Sequence, residues 1–237
     1  MCSIPNREIA NNRTTYPYLK MLNLTIKKER DEYIIQTANP EDIPGAYHVC
    51  LKTGNYGEDA TLLYLDDPDA LGRIFVGPYI TYEPQHCLIL KDRIGICGYA
   101  LAALDSKAFY NIYENEWRPE LCKRFPKPGK EKENQTPVEM VYTCYHIPDY
   151  TVPQPYEEYP SHLHIDLLKR AQGQGLGRIL MKILMDILSQ SGSLGVHLGV
   201  SKKNTRAIQF YTRLGFVELF REEGDEGCIY MGIRLHG

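Results

Sequence analysis

No stretch of this sequence approaches the roughly 20 consecutive apolar residues of a membrane-spanning helix. The first twenty residues, which include Asn, Arg and Glu, hold no apolar run of the kind a secretory leader needs. The expectation is a chain that is neither exported nor anchored. Positive charge is not in excess: 27 Lys and Arg stand against 30 Asp and Glu, for a net charge of -3. Composition therefore gives no general attraction to nucleic acid or to an anionic membrane. No Cys-x-x-Cys pair occurs, and the 7 cysteines are odd in number and scattered. That argues against a disulfide framework or a structural metal and for reduced thiols, in the cytosol or nucleus. In such a compartment the Asn-x-Ser/Thr triplets at Asn12, Asn23 and Asn134 are chance. There is no internal repeat.

What is present is enough for a packed globule: 43% hydrophobic residues and 18 tyrosines in 237 residues point to one α/β domain with an insertion or a tail. Residues 1–32 are polar, and read as an N-terminal appendage in which Leu22, Leu24 and Ile26 allow one extra strand. The domain spans 33–237. Tyr33 to Thr37 reads as a strand, and Asn39-Pro40-Glu41-Asp42 as a helix start with cap, proline and acids in order. A second helix is expected over Pro68 to Phe75, then a hairpin of His86–Leu90 and Ile94–Leu101 around Lys91-Asp92-Arg93. Residues 105–160 form an insertion, helical to about Phe125 and irregular from Pro126 to Pro160, where Pro, Lys and Glu abound. So long an irregular segment is either a cover for a substrate site or a surface excursion. Trp117 and the tyrosines there fit an acceptor pocket or plain packing.

The last third is the most regular. Strand Leu163–Leu168 runs into Gln172-Gly173-Gln174-Gly175-Leu176-Gly177-Arg178, and apolar residues then recur at 176, 179, 180, 183, 184, 187 and 188, one face of a helix. A strand at Val196–Val200, another helix, and strands near Val217 and Ile229 follow. Open N–H groups and partial positive charge at a helix start, with glycines that let an anion close in, make a pyrophosphate cradle, to which Arg178 adds a direct contact. The plain alternative is a tight turn without ligand. A dinucleotide-binding Gly-x-Gly-x-x-Gly belongs near the start of a βαβ unit, and a Walker loop needs Gly-Lys-Ser/Thr; neither fits Gly173-x-Gly175-x-Gly177.

Gln172, Gly175 and Gly177 match the Gln/Arg-x-x-Gly-x-Gly/Ala signature, and Asn204, Ala207, Phe210, Tyr211, Gly215 and Phe216 match the later signature, of the GNAT N-acetyltransferases, which this chain resembles. Arg73–Pro78, Ile94–Leu101 and Pro160–Asp166 look more narrowly like the acetyltransferase-like domain of animal O-GlcNAcase and its free-standing microbial relatives, over about residues 33–235. The resemblance implies a GNAT fold: a central mixed, mostly antiparallel sheet flanked by helices, with the insertion before the cofactor-binding strand. It implies acetyl-CoA as cosubstrate and an amine-bearing acceptor as partner, with a homodimer left open. By that resemblance Ile165 to Leu167 offer backbone groups to the pantetheine arm, and the loop from Gln172 to Arg178, with Gly173, Gln174, Gly175, Leu176 and Gly177, holds the pyrophosphate. Asn204 contacts the cofactor. Tyr211 returns a proton to the thiolate; its plain alternative is a tyrosine packed beside Phe210.

Many family members carry a glutamate base where this chain has Gly199. Asp166, on the face of the strand shared with His164, is the first candidate for the base, against a structural acid that orients His164 or a loop. His164 and His197 are the alternatives. Cys97, Cys144 and Cys228 form no defensible nucleophile arrangement, so direct transfer is expected. Some members of the resembled group lack the glycine loop and are pseudo-acetyltransferases; a cofactor- or protein-binding module is therefore the second reading.

Overall fold

The computed structural model describes residues 22–28, 31–224 and 227–235. Residues 1–21 of the expected appendage lie outside them. The extra strand forms as β1 (Asn23–Lys28), antiparallel to β2 (Asp31–Thr37), with Leu24 opposite Ile35. A short turn at Pro40–Asp42 leads into α1 (Ile43–Thr53), held where it starts by the Asp42 carboxylate, which accepts the Asn39 N–H at 3.0 Å and pairs with Lys91 at 2.8 Å.

The helix expected to end at Phe75 is two short ones, α2 (Gly72–Phe75) and α3 (Gly77–Tyr82). Pro78 has no N–H for the fourth carbonyl before it, so the helix must restart with proline in its first turn. Both glycines press against Tyr47: a Cβ on Gly72 would stand 2.5 Å from its ring, and one on Gly77 2.4 Å from its hydroxyl.

The hairpin is β3 (Cys87–Asp92) and β4 (Gly95–Ala103). Its pairing skips from Leu90–Gly98 to Lys91–Ile96, so Cys97 is a bulge; its carbonyl is thereby left to accept the Leu168 N–H at 2.8 Å. In the insertion, Asp105 caps α4 (Ser106–Ile112), a wide π-type turn carries the chain on, and α5 (Arg118–Arg124) follows. The stretch expected to be irregular contains α6 (Pro137–His146). Thr136 and Glu139 cap it reciprocally, Pro137 opens it, and Val138, Val141 and Tyr145 are buried along one face. Three inward apolar positions among the polar ones suffice to fold it onto the domain.

Then come β5 (Ser161–Leu167), α7 (Leu176–Gln190), β6 (Gly195–Ser201), α8 (Thr205–Arg213), β7 (Val217–Arg221) and β8 (Cys228–Arg234). The eight strands lie in the order β1-β2-β3-β4-β5-β6-β8-β7, and every neighbouring pair is antiparallel except β5–β6. This is the mixed, mostly antiparallel sheet flanked by helices that was expected. Leu176, Leu180, Met181, Leu184 and Leu188 bury the inner face of α7, each contributing about 1.5–3 kcal/mol of apolar burial; they fix where the helix start, and so the glycine loop, must lie.

Candidate active site

The parallel pair β5–β6 holds for only two positions, Ser161–Val196 and His162–His197. Beyond them β5 keeps β4 on one side as far as Leu167–Gly98, while β6 keeps β8. The backbone of β5 from Leu163 onward thus shows an edge without a sheet partner, and unpaired strand groups require some partner. A cavity of about 700 Å³ opens there, lined by Ile165, Asp166 and Leu167, by the loop from Gln172 to Arg178 apart from Gln174, and by Asn204, Phe210 and Tyr211 of the α8 region.

Each loop glycine has its own reason. Gly173 and Gly175 sit at φ +75° and +76°, the left-handed region that side chains avoid, and a Cβ on either would meet nothing within 4 Å. The space over them is open to a ligand. Gly177 instead lets α8 come close: its Cβ would touch the Phe210 ring at 3.4 Å. Gly175 is the cap position of the 15-residue α7, whose first-turn N–H groups therefore face the cavity end of the helix with its partial positive charge. Arg178, Lys203, Arg206 and Arg213 add full charges around the same cavity.

Three of the expected residues have duties within the fold. Gln174 turns away from the cavity, donating to the Tyr33 hydroxyl at 2.8 Å and to the Arg170 carbonyl at 3.1 Å. Gln172 stays at the cavity wall but uses its amide to donate to the Leu167 carbonyl at 2.6 Å, tying off the end of β5. Asn204 lines the cavity while its Oδ1 accepts the Ala207 N–H at 3.0 Å and so caps α8.

Asp166 and Tyr211 come together at the same cavity. Burial pushes the Asp166 carboxyl up to about 6, against hydrogen bonds from Tyr99 and Thr53 that favour its charged form. Tyr99, directly opposite on β4, donates at 2.6 Å. Tyr211 is raised, first by burial and then by the negative charge of Asp166. A carboxylate with an elevated pKa and a tyrosine that keeps its proton, on one cavity, are groups chemically able to accept and to give a proton there. Among the described residues, the Tyr211 hydroxyl has no hydrogen-bond partner of its own.

The other candidates sort by geometry. His197 is 2% exposed and bonds through Nδ1 to the Tyr159 carbonyl at 2.7 Å, a fixed structural place. His164 is half-buried on the Asp166 face of β5 and bonds through Nε2 to Tyr79 at 3.0 Å. Burial pushes the Cys97 thiol up to about 12 and raises those of Cys144 and Cys228, so none of the three is an activated nucleophile. Gly199 is exposed, and a Cβ there would come no nearer than 3.4 Å to the Tyr230 ring. Trp117 donates to the Arg73 carbonyl at 2.8 Å and packs edge-on to Tyr82, away from the cavity lining.

Sequence reading missed Tyr99, Thr53 and the loop Tyr56-Gly57-Glu58, which closes one side of the cavity. Tyr56 and Gly57 both have positive φ, 52° and 92°, and Glu58 pairs with Lys169 at 2.7 Å. Asn55-Tyr56-Gly57 carried a turn signal; nothing local in the sequence placed it over the β5 edge.

The profile of the acetyltransferase (GNAT) family matches residues 83–216, more than half of the chain. The chain belongs to this family. Among curated relatives, the protein O-GlcNAcase of Rattus norvegicus is 28% identical over 193 residues, 81% of this chain, and that of Mus musculus is 27% identical over the same length. The chain spans about a fifth, 21%, of the length of these curated relatives. Of solved structures, SsHAT is similar at 32% identity and TM-score 0.77, over 86% of this chain and 99% of that one. The residues present fit the acetyl-CoA that this family binds: an open glycine cradle at a helix start for a pyrophosphate, cations around it, and a free strand edge for an amide-bearing arm.

Proposed function

We propose that the chain binds acetyl-CoA along the β5 edge and transfers its acetyl group by direct attack to a primary amine, carried on a small molecule, a peptide or a protein lysine. The observation that carries this reading is the pair Asp166 and Tyr211 on one cavity, with the carboxylate tuned to about 6. Ile165 and Leu167 hold the arm through backbone groups, the loop from Gln172 to Arg178 holds the pyrophosphate, and Asn204 closes the wall. When bound, the cosubstrate supplies an activated acetyl thioester. Asp166, ionised above pH ~6, takes the proton that leaves the attacking amine. Tyr211 supplies a proton to the departing sulfur. A thiolate leaves readily, its conjugate acid having a pKa of about 8.5, so Tyr211 speeds the step without being indispensable. The six described cysteines are unpaired, which suits the cytoplasm or nucleus.

One observation favours a second reading. Gly199 stands where many family members have their base, and the O-GlcNAcase relatives include chains regarded as pseudo-acetyltransferases; on that reading the protein is an acetyl-CoA- or protein-binding module. Calorimetric titration of acetyl-CoA into the wild type and a folded Gly175→Glu variant, followed by a thiol-release assay over a panel of amines, separates the cases. Binding lost in the variant, with thiol released for some amine, supports the transferase. Binding without release for any amine supports the module, and no binding to the wild type overturns both uses of the cofactor.

A further inference from the structure

Between Gln172 and the first residue of α7 the chain has three residues, Gly173, Gln174 and Gly175, and only the middle one carries a side chain. The backbone is pinned on either side of them. Gln172 gives its side-chain amide to the Leu167 carbonyl at 2.6 Å and its N–H to the Lys169 carbonyl at 3.2 Å, while the Gly175 carbonyl accepts the Ile179 N–H at 3.2 Å. In between, the hand of the backbone alternates: φ is +75° at Gly173 and +76° at Gly175, and Gln174 is outside the left-handed region. Such alternation turns successive N–H groups toward one side and makes a concavity for an anion. Glycine, however, loses more freedom than any other residue when its backbone is fixed, so a cradle of this sequence keeps its shape only if something holds it.

The Gln174 side chain is that hold, and its hydrogens can be assigned. Its Nε2 lies 2.8 Å from the Tyr33 hydroxyl and 3.1 Å from the Arg170 carbonyl. A carbonyl only accepts, so the nitrogen with its two hydrogens must face it; the flipped amide would set oxygen against oxygen with no hydrogen between them. The Tyr33 oxygen accepts the second amide hydrogen and directs its own toward the same carbonyl, at 3.4 Å. Both partners are themselves fixed. Tyr33 is 2% exposed in β2. Arg170 donates through Nε to Asp92 at 2.6 Å and through Nη2 to the Ile96 carbonyl at 3.1 Å, and Asp92 accepts the N–H groups of Ile94 and Gly95. The loop is thus fastened to β2 and to the β3–β4 turn from outside the cavity, whose lining includes neither Gln174 nor Tyr33.

On the cofactor reading proposed above, we infer that Tyr33, acting through Gln174, presets the glycine loop in its anion-binding shape, so that both are positioning residues for capture of the coenzyme A pyrophosphate. A site that holds its competent shape only part of the time binds more weakly by that fraction. Without the hydroxyl or the amide the two glycines regain other conformations. The loss falls on binding and spares the transfer step, because neither side chain lines the cavity.

Tyr33→Phe removes only the hydroxyl, and Gln174→Met keeps the length of the side chain without donors or charge. Backbone ¹⁵N order parameters of the ligand-free protein read the loop directly: Gly173 and Gly175 should stand near ~0.85 in the wild type and fall below about 0.6 in either variant. Calorimetry should show coenzyme A bound about five- to tenfold more weakly by each variant. The double variant should lose no more than either single one, since both act through one contact. In the thiol-release assay KM for acetyl-CoA should rise by the same factor with kcat unchanged. Order parameters that do not change, losses that add in the double variant, or a lowered Tm with unaltered coenzyme A affinity would each overturn the inference. A wild type that does not bind coenzyme A counts against the proposed function, and the order parameters alone then decide whether Tyr33 and Gln174 set the loop.

Discussion

Tyr99 donates its hydroxyl proton to Asp166 Oδ2 at 2.6 Å, and the two residues stand opposite each other on β4 and β5. The bond favours the carboxylate, while burial favours the neutral acid and wins, which is how the group reaches about 6. Removing the hydroxyl removes the opposing influence. In Tyr99→Phe the acid limb of the pH profile for acetyl transfer should move upward from about pH 6, and a profile unchanged from wild type would show that another group controls it.

The same shift makes a stability prediction. Folded, Asp166 binds its proton to about pH 6; unfolded, it releases it near ~3.9. The native state therefore holds the extra proton in that window, and stability falls as pH rises from about 4 through about 6. Asp166→Asn, which keeps an acceptor for Tyr99, should remove the fall and be more stable than wild type above pH 6 by about 1–3 kcal/mol. Urea unfolding at pH 4 and pH 7.5 tests this: the variants should converge at the lower pH.

Gly199 offers a rescue. A Cβ there would stand in ordinary contact with the Tyr230 ring, at 3.4 Å, without a clash, so a longer side chain can leave past that ring. Asp166→Asn alone should lower transfer by about 10²–10⁴-fold, the usual worth of a positioned base. Adding Gly199→Glu should recover roughly tenfold of that loss. Steady-state rates of the single and double variants decide it, and an inactive double variant that still binds acetyl-CoA would argue that the two positions do not address the same acceptor.

Glu58 holds Lys169 at 2.7 Å and lines the cavity proposed for the cofactor. Glu58→Gln frees a cation near the place expected for phosphates and deletes an anion that repels them. Acetyl-CoA affinity should rise roughly two- to fivefold at low salt, and the gain should shrink at 0.5 M salt as the Debye length falls to a few ångströms. Calorimetry at two ionic strengths is sufficient.

In α6, Thr136 accepts the Glu139 N–H at 3.2 Å and Glu139 accepts the Thr136 N–H at 2.8 Å. Thr136→Ala should cost about 1 kcal/mol, a fall in Tm of about 2–4 °C for a domain of this size. Acetyl-CoA binding should be unchanged.

That capping box also marks what was legible in the sequence and what was not. Thr136-Pro137-Val138-Glu139 is a helix start by the same local rules that found Asn39-Pro40, and a count of prolines and charges hid it. The glycine loop, the period of α7 and the alternation of β5 were readable because each rests on neighbours within a few residues. Tyr99 opposite Asp166, and Ser106 behind His162, were not. They depend on the register of β4 against β5 and on the packing of α4, set by contacts more than fifty residues apart. Gln174 shows the reverse error: a residue in the motif whose side chain serves β2 and whose place in the sequence could not say so.

The eight-stranded sheet is joined at its centre by two residue pairs only, Ser161–Val196 and His162–His197. Mechanically, that seam divides the protein into a large panel ending at β5 and a small one of β6, β8 and β7, so the small panel should open to amide exchange as a unit of its own, ahead of global unfolding. A ligand lying along the free β5 edge and bridging to α8 would act as a temporary ninth strand. Its arrival should then be felt most strongly far from the point of contact, as slowed exchange in β7 and β8, the strands it never touches.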